Sequence, residues 1–211
     1  MDPAELKTRY WRPHEASHKP FAWETLEAAY GDSGRGYHGW SHISDLFEAL
    51  DQVSELATRR DLVATAIFWH DAVYVTRAAN GTRRADAVNV LDSAELFGQH
   101  SLLSGPDADA VHELIIATTD HLGAKTCRER YPGFGHDLDL FVDLDLSPLA
   151  APWEKFASNF QAIRHEFSWV PEPAFNAAQG AFLEALFTNE AKLYRRPETI
   201  ERWRKKGSHP A

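Results

Sequence analysis

The sequence predicts an all-α protein, folded as one compact helical domain of about eight helices. Apolar residues recur with the helical period of about 3.6 over most of the chain. Few segments alternate with the period of two that strands require, and turn-forming residues gather in short breaks between the apolar stretches. The 211 residues suffice for one domain with a sizeable core and are few for two.

The strongest helical patterns lie in the first half of the chain. After Ser41, which we expect to cap a helix, Ile43, Leu46 and Leu50 recur at i, i+3 and i+7. The stretch 61–74 is almost entirely apolar and predicts a buried central helix. Further helices are expected at about 21–30, 86–98, 107–121, 137–146, 153–168, 173–188 and 197–206.

The charge of the chain restricts its partners. Its 31 acidic and 22 basic residues give a net charge of −9, which repels polymeric nucleic acid and anionic membranes at long range. A small phosphate substrate is still compatible, because a bound cation inverts the local field. The first residues carry no apolar signal segment and no stretch is long enough to span a bilayer, so we expect a cytoplasmic location.

Two histidines, His38 and His42, lie four residues apart and share a face if one helix covers both. Zinc proteases carry a similar pair, with a glutamate after the first histidine that acts as the general base. Gly39 takes that position in this chain, which argues against a protease.

Two further groups of ionisable residues lie within apolar segments. His70 and Asp71 fall in the most apolar stretch of the chain, where an ionised carboxylate costs several kcal/mol unless it is paired or bound to a metal. Asp143 and Asp145 follow in a second apolar segment. Two positions apart on a helix differ by about 200°, so at most one of these aspartates faces a shared site.

Together these groups offer two imidazoles and two carboxylates from three predicted helices. Such a mixed nitrogen and oxygen site suits a divalent ion of Mn, Fe, Co, Ni, Zn or Mg. A salt bridge from Asp71 to an arginine, and a hydrogen bond from His70 to a carbonyl, would explain the His-Asp pair equally well without a metal.

The order of these residues resembles the HD superfamily of metal-dependent phosphohydrolases. Over roughly residues 20–205 the chain is similar to a bacterial subfamily of predicted HD phosphohydrolases. The similar segments are Tyr37-His38-Gly-Trp-Ser-His42-Ile43, Phe68-Trp-His70-Asp71-Ala-Val-Tyr74, Asn89-Val-Leu-Asp-Ser93-Ala-Glu-Leu96, Ala117-Thr-Thr-Asp-His121 and Asp143-Leu-Asp145-Leu146. The resemblance implies that His42, His70, Asp71 and Asp145 hold a divalent metal ion, and that the substrate is a small phosphate ester, by default a nucleotide.

The first of these segments is also similar to the Tyr-His-Asn-x-x-His stretch of cyclic-nucleotide phosphodiesterases. That similarity implies that His42 binds metal and that His38 protonates the departing oxygen. Asp71 or Asp145 would then take a proton from the attacking water.

Other candidates are less closely tied to the motifs. The subfamily usually carries two glutamates where this chain has Val90 and Leu91, and Asp86 is the nearest acid that could replace them. Asp120, His121 and Asp86 are expected to contact a second metal ion or phosphate. The cations expected to bind phosphate, from loops near the motifs, are Arg35, Lys125 and Arg128.

Two other functions fit the same residues. Some HD proteins are di-iron oxygenases, which would need additional ligands from Asp120, His121 or Asp86. The chain could instead be a non-catalytic binding module that keeps the metal for structure.

Overall fold

The computed structural model describes residues 1–121, 134–188 and 193–204. The α-helices of these ranges are α1 Pro3–Leu6, α2 Ala22–Tyr30, α3 Trp40–Gln52, α4 Arg60–Trp69, α5 Asp86–His100, α6 Pro106–Ala117, α7 Gly135–Asp145, α8 Trp153–Glu166, α9 Glu172–Thr188 and α10 Pro197–Thr199. Within them, β-pairing is confined to two isolated bridges, which confirms the predicted all-α class. No described helix combines the length and apolarity needed to cross a membrane.

Helix α4 lies at the centre of the fold, as its composition predicts. All its residues from Leu62 to Trp69 are buried, and it packs against α3, α5 and α6. Helix α7 covers the same core from the side of α3 and α6. A helix that is apolar on every side must be surrounded by other elements, so α4 fixes the positions of its neighbours.

An N-terminal helical segment that the apolar pattern did not predict completes the core. Helix α1 continues through a π-helical turn, Lys7–Trp11, and a 3₁₀ turn, Arg12–Ser17. The Tyr10 ring stacks on Phe47 with centroids 4.1 Å apart, and the Trp11 ring meets the edge of Phe68 at 5.4 Å. Aromatic burial of this kind stabilises a short segment that has weak helical periodicity.

The start of α4 is held by an acid from another helix. Asp137 of α7 is buried, and its two carboxylate oxygens accept the backbone N–H groups of Thr58 and Arg59 at 2.7 and 2.8 Å. These donors precede the first turn of α4, where backbone N–H groups lack helical partners. Asp137 therefore satisfies them and ties α7 to the central helix.

The end of α4 corrects the prediction of a helix over 61–74. The helix stops at Trp69, and His70 is its C-terminal cap. Beyond it, the Arg35 guanidinium donates to the carbonyls of Asp71 and Ala72, at 2.7 and 2.9 Å. Because side chains satisfy this backbone in place of helical bonds, His70 and Asp71 lie at the end of the helix and not inside it.

The start of α3 also differs from the prediction. The helix begins at Trp40, and Gly39 takes the N-terminal cap position expected for Ser41. No side chain therefore caps the start of the helix. A Cβ atom on Gly39 would lie 3.2 Å from the Tyr30 carbonyl oxygen, so the close approach of α2 favours glycine. His38 consequently precedes the helix, and it does not share a helical face with His42.

We expect the stability of the fold to depend on pH through one buried histidine, His18. His18 lies 4.1 Å from the Trp11 ring, and its Nε2 accepts the indole N–H of Trp69 at 3.2 Å. Burial lowers the pKa of His18 to about 4 from the ordinary 6.5. The unfolded chain therefore takes up this proton first, and stability is lost as the pH falls from 6.5 towards 4.

The difference between the two pKa values corresponds to a loss of about 2 kcal/mol in the free energy of unfolding between pH 7 and pH 5. Urea unfolding at both pH values should show this loss in the wild type and in the control His112→Gln, whose histidine is exposed on α6. It should be absent from His18→Gln. An equal loss in all three proteins would assign the acid sensitivity to other groups.

Candidate metal centre

Two imidazoles meet where α3 begins and α4 ends. The Nε2 atoms of His42 and His70 are 3.3 Å apart, and both side chains are buried. His42 comes from the first turn of α3, and His70 caps α4. Residues 28 apart in the chain thus present the same ring atom to one point.

Two carboxylates face the same point. His42 Nε2 lies 3.2 Å from Asp145 Oδ1 and 3.6 Å from Asp71 Oδ2. His70 Nε2 lies 3.2 Å from Asp71 Oδ2 and 3.5 Å from Asp145 Oδ1. Asp145 is the last residue of α7, and Asp71 lies in the turn after α4. The structure therefore brings together all four residues that the sequence proposes as ligands.

The orientation of one imidazole suits a ligand. His70 Nδ1 lies 3.0 Å from the Ile67 carbonyl oxygen, and since a carbonyl only accepts, that nitrogen carries a proton. The neutral ring then presents the Nε2 lone pair to the cluster, as metal-bound histidines do. The Nδ1 atom of His42 is buried without a hydrogen-bond partner among the described residues, so no second contact fixes its tautomer.

The electrostatics of the cluster require positive charge. Burial lowers the pKa of His70, but Asp71 and Asp145 outweigh burial and hold that pKa well above its ordinary value. Burial raises the pKa of Asp145, whereas hydrogen bonds from His121, His42 and His70 bring it well below the ordinary value. A proton on His70 thus offsets part of the charge of the two largely buried carboxylates, and a divalent cation could replace it.

The donor set fits such a cation. His42, His70 and Asp71 form a group that could hold a metal ion, with ligand atoms within 4.8 Å of one another. Donor atoms about a cation with bonds of about 2.1 Å lie roughly 3.0–3.5 Å apart. The separations of 3.2–3.6 Å between the imidazole nitrogens and the carboxylate oxygens are close to that range.

A histidine outside the cluster is held by a buried glutamate. His38 Nδ1 lies 2.8 Å from Glu166 Oε2. The other carboxylate oxygen of Glu166 accepts the backbone N–H groups of Tyr37 and His38, each at 2.8 Å. The His38 ring also stacks on Tyr74, with centroids 3.6 Å apart. Both the backbone and the ring of His38 are therefore fixed from α8.

The same surroundings favour a protonated His38. Burial lowers its pKa, but the hydrogen bond to Glu166 and the negative charges of Asp71, Glu166 and Asp86 outweigh burial and raise the pKa above 6.5. With Nδ1 bonded to Glu166, the Nε2–H group of the ring is left as the available donor.

The secondary candidates lie in different places. His121 Nε2 bonds to Asp145 Oδ2 at 2.7 Å and thus supports a predicted ligand. Asp86, the first residue of α5, lines the same cavity as the cluster. Asp120 is exposed and does not line that cavity.

One of the three predicted phosphate-binding cations, Arg35, lies among the described residues. Arg35 uses its guanidinium to hold the backbone after α4, and it lies outside the lining of the cavity. This contact gives Arg35 an architectural role, and its phosphate contact stays a prediction. Lys125 and Arg128 lie outside the described residues.

The cluster opens into a cavity of about 410 Å³. Its lining includes His38, His42, Asp71, His121 and Asp145, and also an apolar wall consisting of Ile163, Phe167, Val170, Phe175 and Phe182. Arg83 also lines the cavity, with its guanidinium carbon 5.7 Å from the centre of the Phe167 ring. No hydrogen bond or ion pair joins its side chain to another described residue.

Asp143 points away from the cluster. Its carboxylate accepts the backbone N–H groups of Arg195 and Arg196 at 2.7 and 2.9 Å, and the Thr199 hydroxyl at 2.5 Å. Burial raises the pKa of Asp143 to about 6 despite these donors, so the group is mostly ionised at neutral pH. Asp143 therefore anchors the segment around α10, and Asp145 faces the candidate site.

Sequence reasoning missed Glu166 and Arg83. Glu166 was visible in principle, because it lies at i+3 from Ile163 on the apolar stripe of α8, where an acid is unexpected. Arg83 falls in a predicted loop, and nothing in the local sequence places it at the cavity.

The cluster leads us to expect that the protein binds one divalent ion of a transition metal with micromolar or tighter affinity. His70→Ala should weaken that affinity by at least about 100-fold, because it removes a buried ligand. His112→Ala, which changes an exposed histidine of α6, should bind like the wild type. Calorimetry with Mn²⁺ and elemental analysis would measure both. Equal binding by the two variants would exclude His70 as a ligand.

Substitutions of Asp143 and Asp145 should have different effects, one on stability and the other on metal binding. Asp145→Asn should reduce metal affinity with little change in fold, because it removes one charged ligand. Asp143→Asn should cost about 1–3 kcal/mol of stability, because the NH₂ group of the new amide would face one of the two backbone N–H donors. The folded variant should nevertheless keep its metal. Urea unfolding and calorimetry would rank them, and the opposite ranking would show that the two roles are exchanged.

Three comparisons tested whether the chain is similar to known proteins. No family model, curated protein or solved structure matched it.

Proposed function

We propose that the protein is a metal-dependent phosphohydrolase that cleaves a small phosphate ester. The observation that carries this proposal is the convergence of two imidazole nitrogens and two carboxylates beside a cavity of about 410 Å³. The ordered motifs His42, His70-Asp71 and Asp145, which resemble those of HD phosphohydrolases, support it as well.

The cluster would supply the ion-binding part of the reaction. A divalent cation held by His42, His70, Asp71 and Asp145 would act as a Lewis acid, lowering the pKa of a water molecule and neutralising charge on the phosphoryl group. Asp71 and Asp145 lie beside that position, and either carboxylate could accept the proton that the water loses.

His38 would supply the second proton transfer. It lies in the wall of the same cavity, and Glu166 fixes its Nδ1 so that Nε2 is the donor. A donor held in this way can protonate the leaving oxygen as the P–O bond breaks. Glu166 acts through His38 and does not line the cavity, so we assign it a positioning role.

Arg83 would complete the contacts with the substrate. Its guanidinium reaches the cavity and has no ion-pair partner in the described part of the chain, while Asp86 and Tyr74 lie nearby in the lining. A planar guanidinium group can bind two phosphate oxygens at once. Arg83 would thus take the phosphate-binding role that the sequence proposes for Arg35, Lys125 and Arg128.

The pairing of His38 with Glu166 favours hydrolysis over the two alternatives. A binding module has no use for a buried carboxylate that orients a histidine next to the ion-binding cluster. Oxygen activation by two iron ions would require a second set of ligands. One group of histidines and acids with converging ligand atoms is found among the described residues.

We expect the Mn²⁺-loaded wild type to hydrolyse both 4-nitrophenyl phosphate and a simple alkyl phosphate. His38→Ala should retain near-normal metal content and lose about 10²–10⁴-fold in turnover of the alkyl ester. The loss should be much smaller for 4-nitrophenyl phosphate, because nitrophenolate leaves without a proton. Glu166→Gln should show the same dependence on leaving group, with a smaller loss.

Metal content measured on each variant provides the control. Loss of metal from His38→Ala would make His38 a ligand. An equal loss of turnover with both esters would exclude it as the proton donor. No hydrolysis of any phosphate ester by metal-loaded wild type would contradict the proposed function.

A further inference from the structure

The cavity lining has two chemically different parts, and the apolar part indicates the chemistry of the organic part of a substrate. The apolar wall comes from α8, α9 and the turn between them. Phe167 and Phe175 lie with ring centroids 6.1 Å apart, and Phe175 also meets Phe160 edge-on at 5.6 Å. The wall is therefore a packed surface rich in aromatic rings, and it lines the same cavity as the ion-binding cluster.

Small residues of α9 leave room beside these rings. Ala174 and Ala178 lie one turn apart and line the cavity together with Phe175 and Phe182. Phe182 is 51% exposed even though it lines the cavity. An apolar ligand that covered this ring would remove more apolar surface from water, which favours binding.

The apolar wall itself offers few polar groups that could bind hydroxyl groups. Gln179 is the one polar side chain with which α8 and α9 line the cavity. Elsewhere in the lining, Asn89 bonds through both amide atoms to the backbone of Val75, and the Thr118 hydroxyl donates to the Ile115 carbonyl. A sugar or polyol placed against this wall would leave hydroxyl groups without partners there, which is unfavourable.

We propose that the apolar wall binds the organic part of the substrate, and that this part is a compact apolar group about the size of one ring. The substrate class is thus an aryl or short alkyl phosphate monoester and not a sugar or polyol phosphate. This inference rests on the proposed function for the placement of the phosphate, near Arg83 and the cluster. Arg83 lies over the face of Phe167 and is therefore next to the apolar wall.

Binding of phosphonates, which cannot be hydrolysed at phosphorus, tests the proposal without any need for turnover. Calorimetry would compare phenylphosphonate with 3,4-dihydroxybutylphosphonate on the Mn²⁺-loaded wild type. We expect phenylphosphonate to bind about 10- to 100-fold more tightly, the range for one ring-sized apolar group leaving water. Equal affinities, or a preference for the dihydroxy compound, would overturn the inference.

A matched pair of variants locates the effect. Phe182→Ser, at a half-exposed position in the wall, should reduce the preference for the phenyl compound by about 3- to 10-fold. Phe21→Ser, at an exposed position away from the cavity, should leave it unchanged. Equal effects of both variants would place the phenyl group elsewhere.

The outcomes distinguish this inference from the proposed function. Tight phenylphosphonate binding by a protein that hydrolyses no ester would support the ligand class and refute the hydrolase. Equal rates with phenyl and glycerol phosphates, together with equal phosphonate affinities, would support the hydrolase and refute the ligand class.

Discussion

The cost of burying an ionised carboxylate organises this structure. Such a group needs donors or a cation to replace the water it loses. Asp137, Asp143 and Glu166 meet that need in the same way, since each accepts the N–H groups of two consecutive residues from a distant segment. Each acid thereby fixes a loop against a helix.

Asp71 and Asp145 are satisfied differently, and that difference identifies the candidate site. Their carboxylates face imidazole nitrogens of His42, His70 and His121. No backbone N–H of the described chain reaches them. Acids that bond to backbone N–H groups need no ion, whereas acids surrounded by imidazoles form a set of lone pairs that a divalent cation would join.

The local sequence predicted those features that depend on local spacing. Helical periodicity gave the all-α class and the buried α4, and the motifs drew attention to His42, His70, Asp71 and Asp145. Predictions from the local sequence were wrong where a side chain that is distant in the chain binds the backbone. Arg35 satisfies the carbonyls after α4, so the helix ends before His70. Glu166 holds a backbone N–H 129 residues away, and spacing along the chain carries no information about such a contact.

We propose that these four residues surround one divalent cation, and diffraction would locate that ion directly. Crystals grown with Mn²⁺ would be measured at the manganese absorption edge to locate the ion by anomalous scattering. We expect one strong peak within bonding distance of His42 Nε2, His70 Nε2 and one oxygen each of Asp71 and Asp145. A peak elsewhere, or none at this cluster when the ion is in excess, would contradict it.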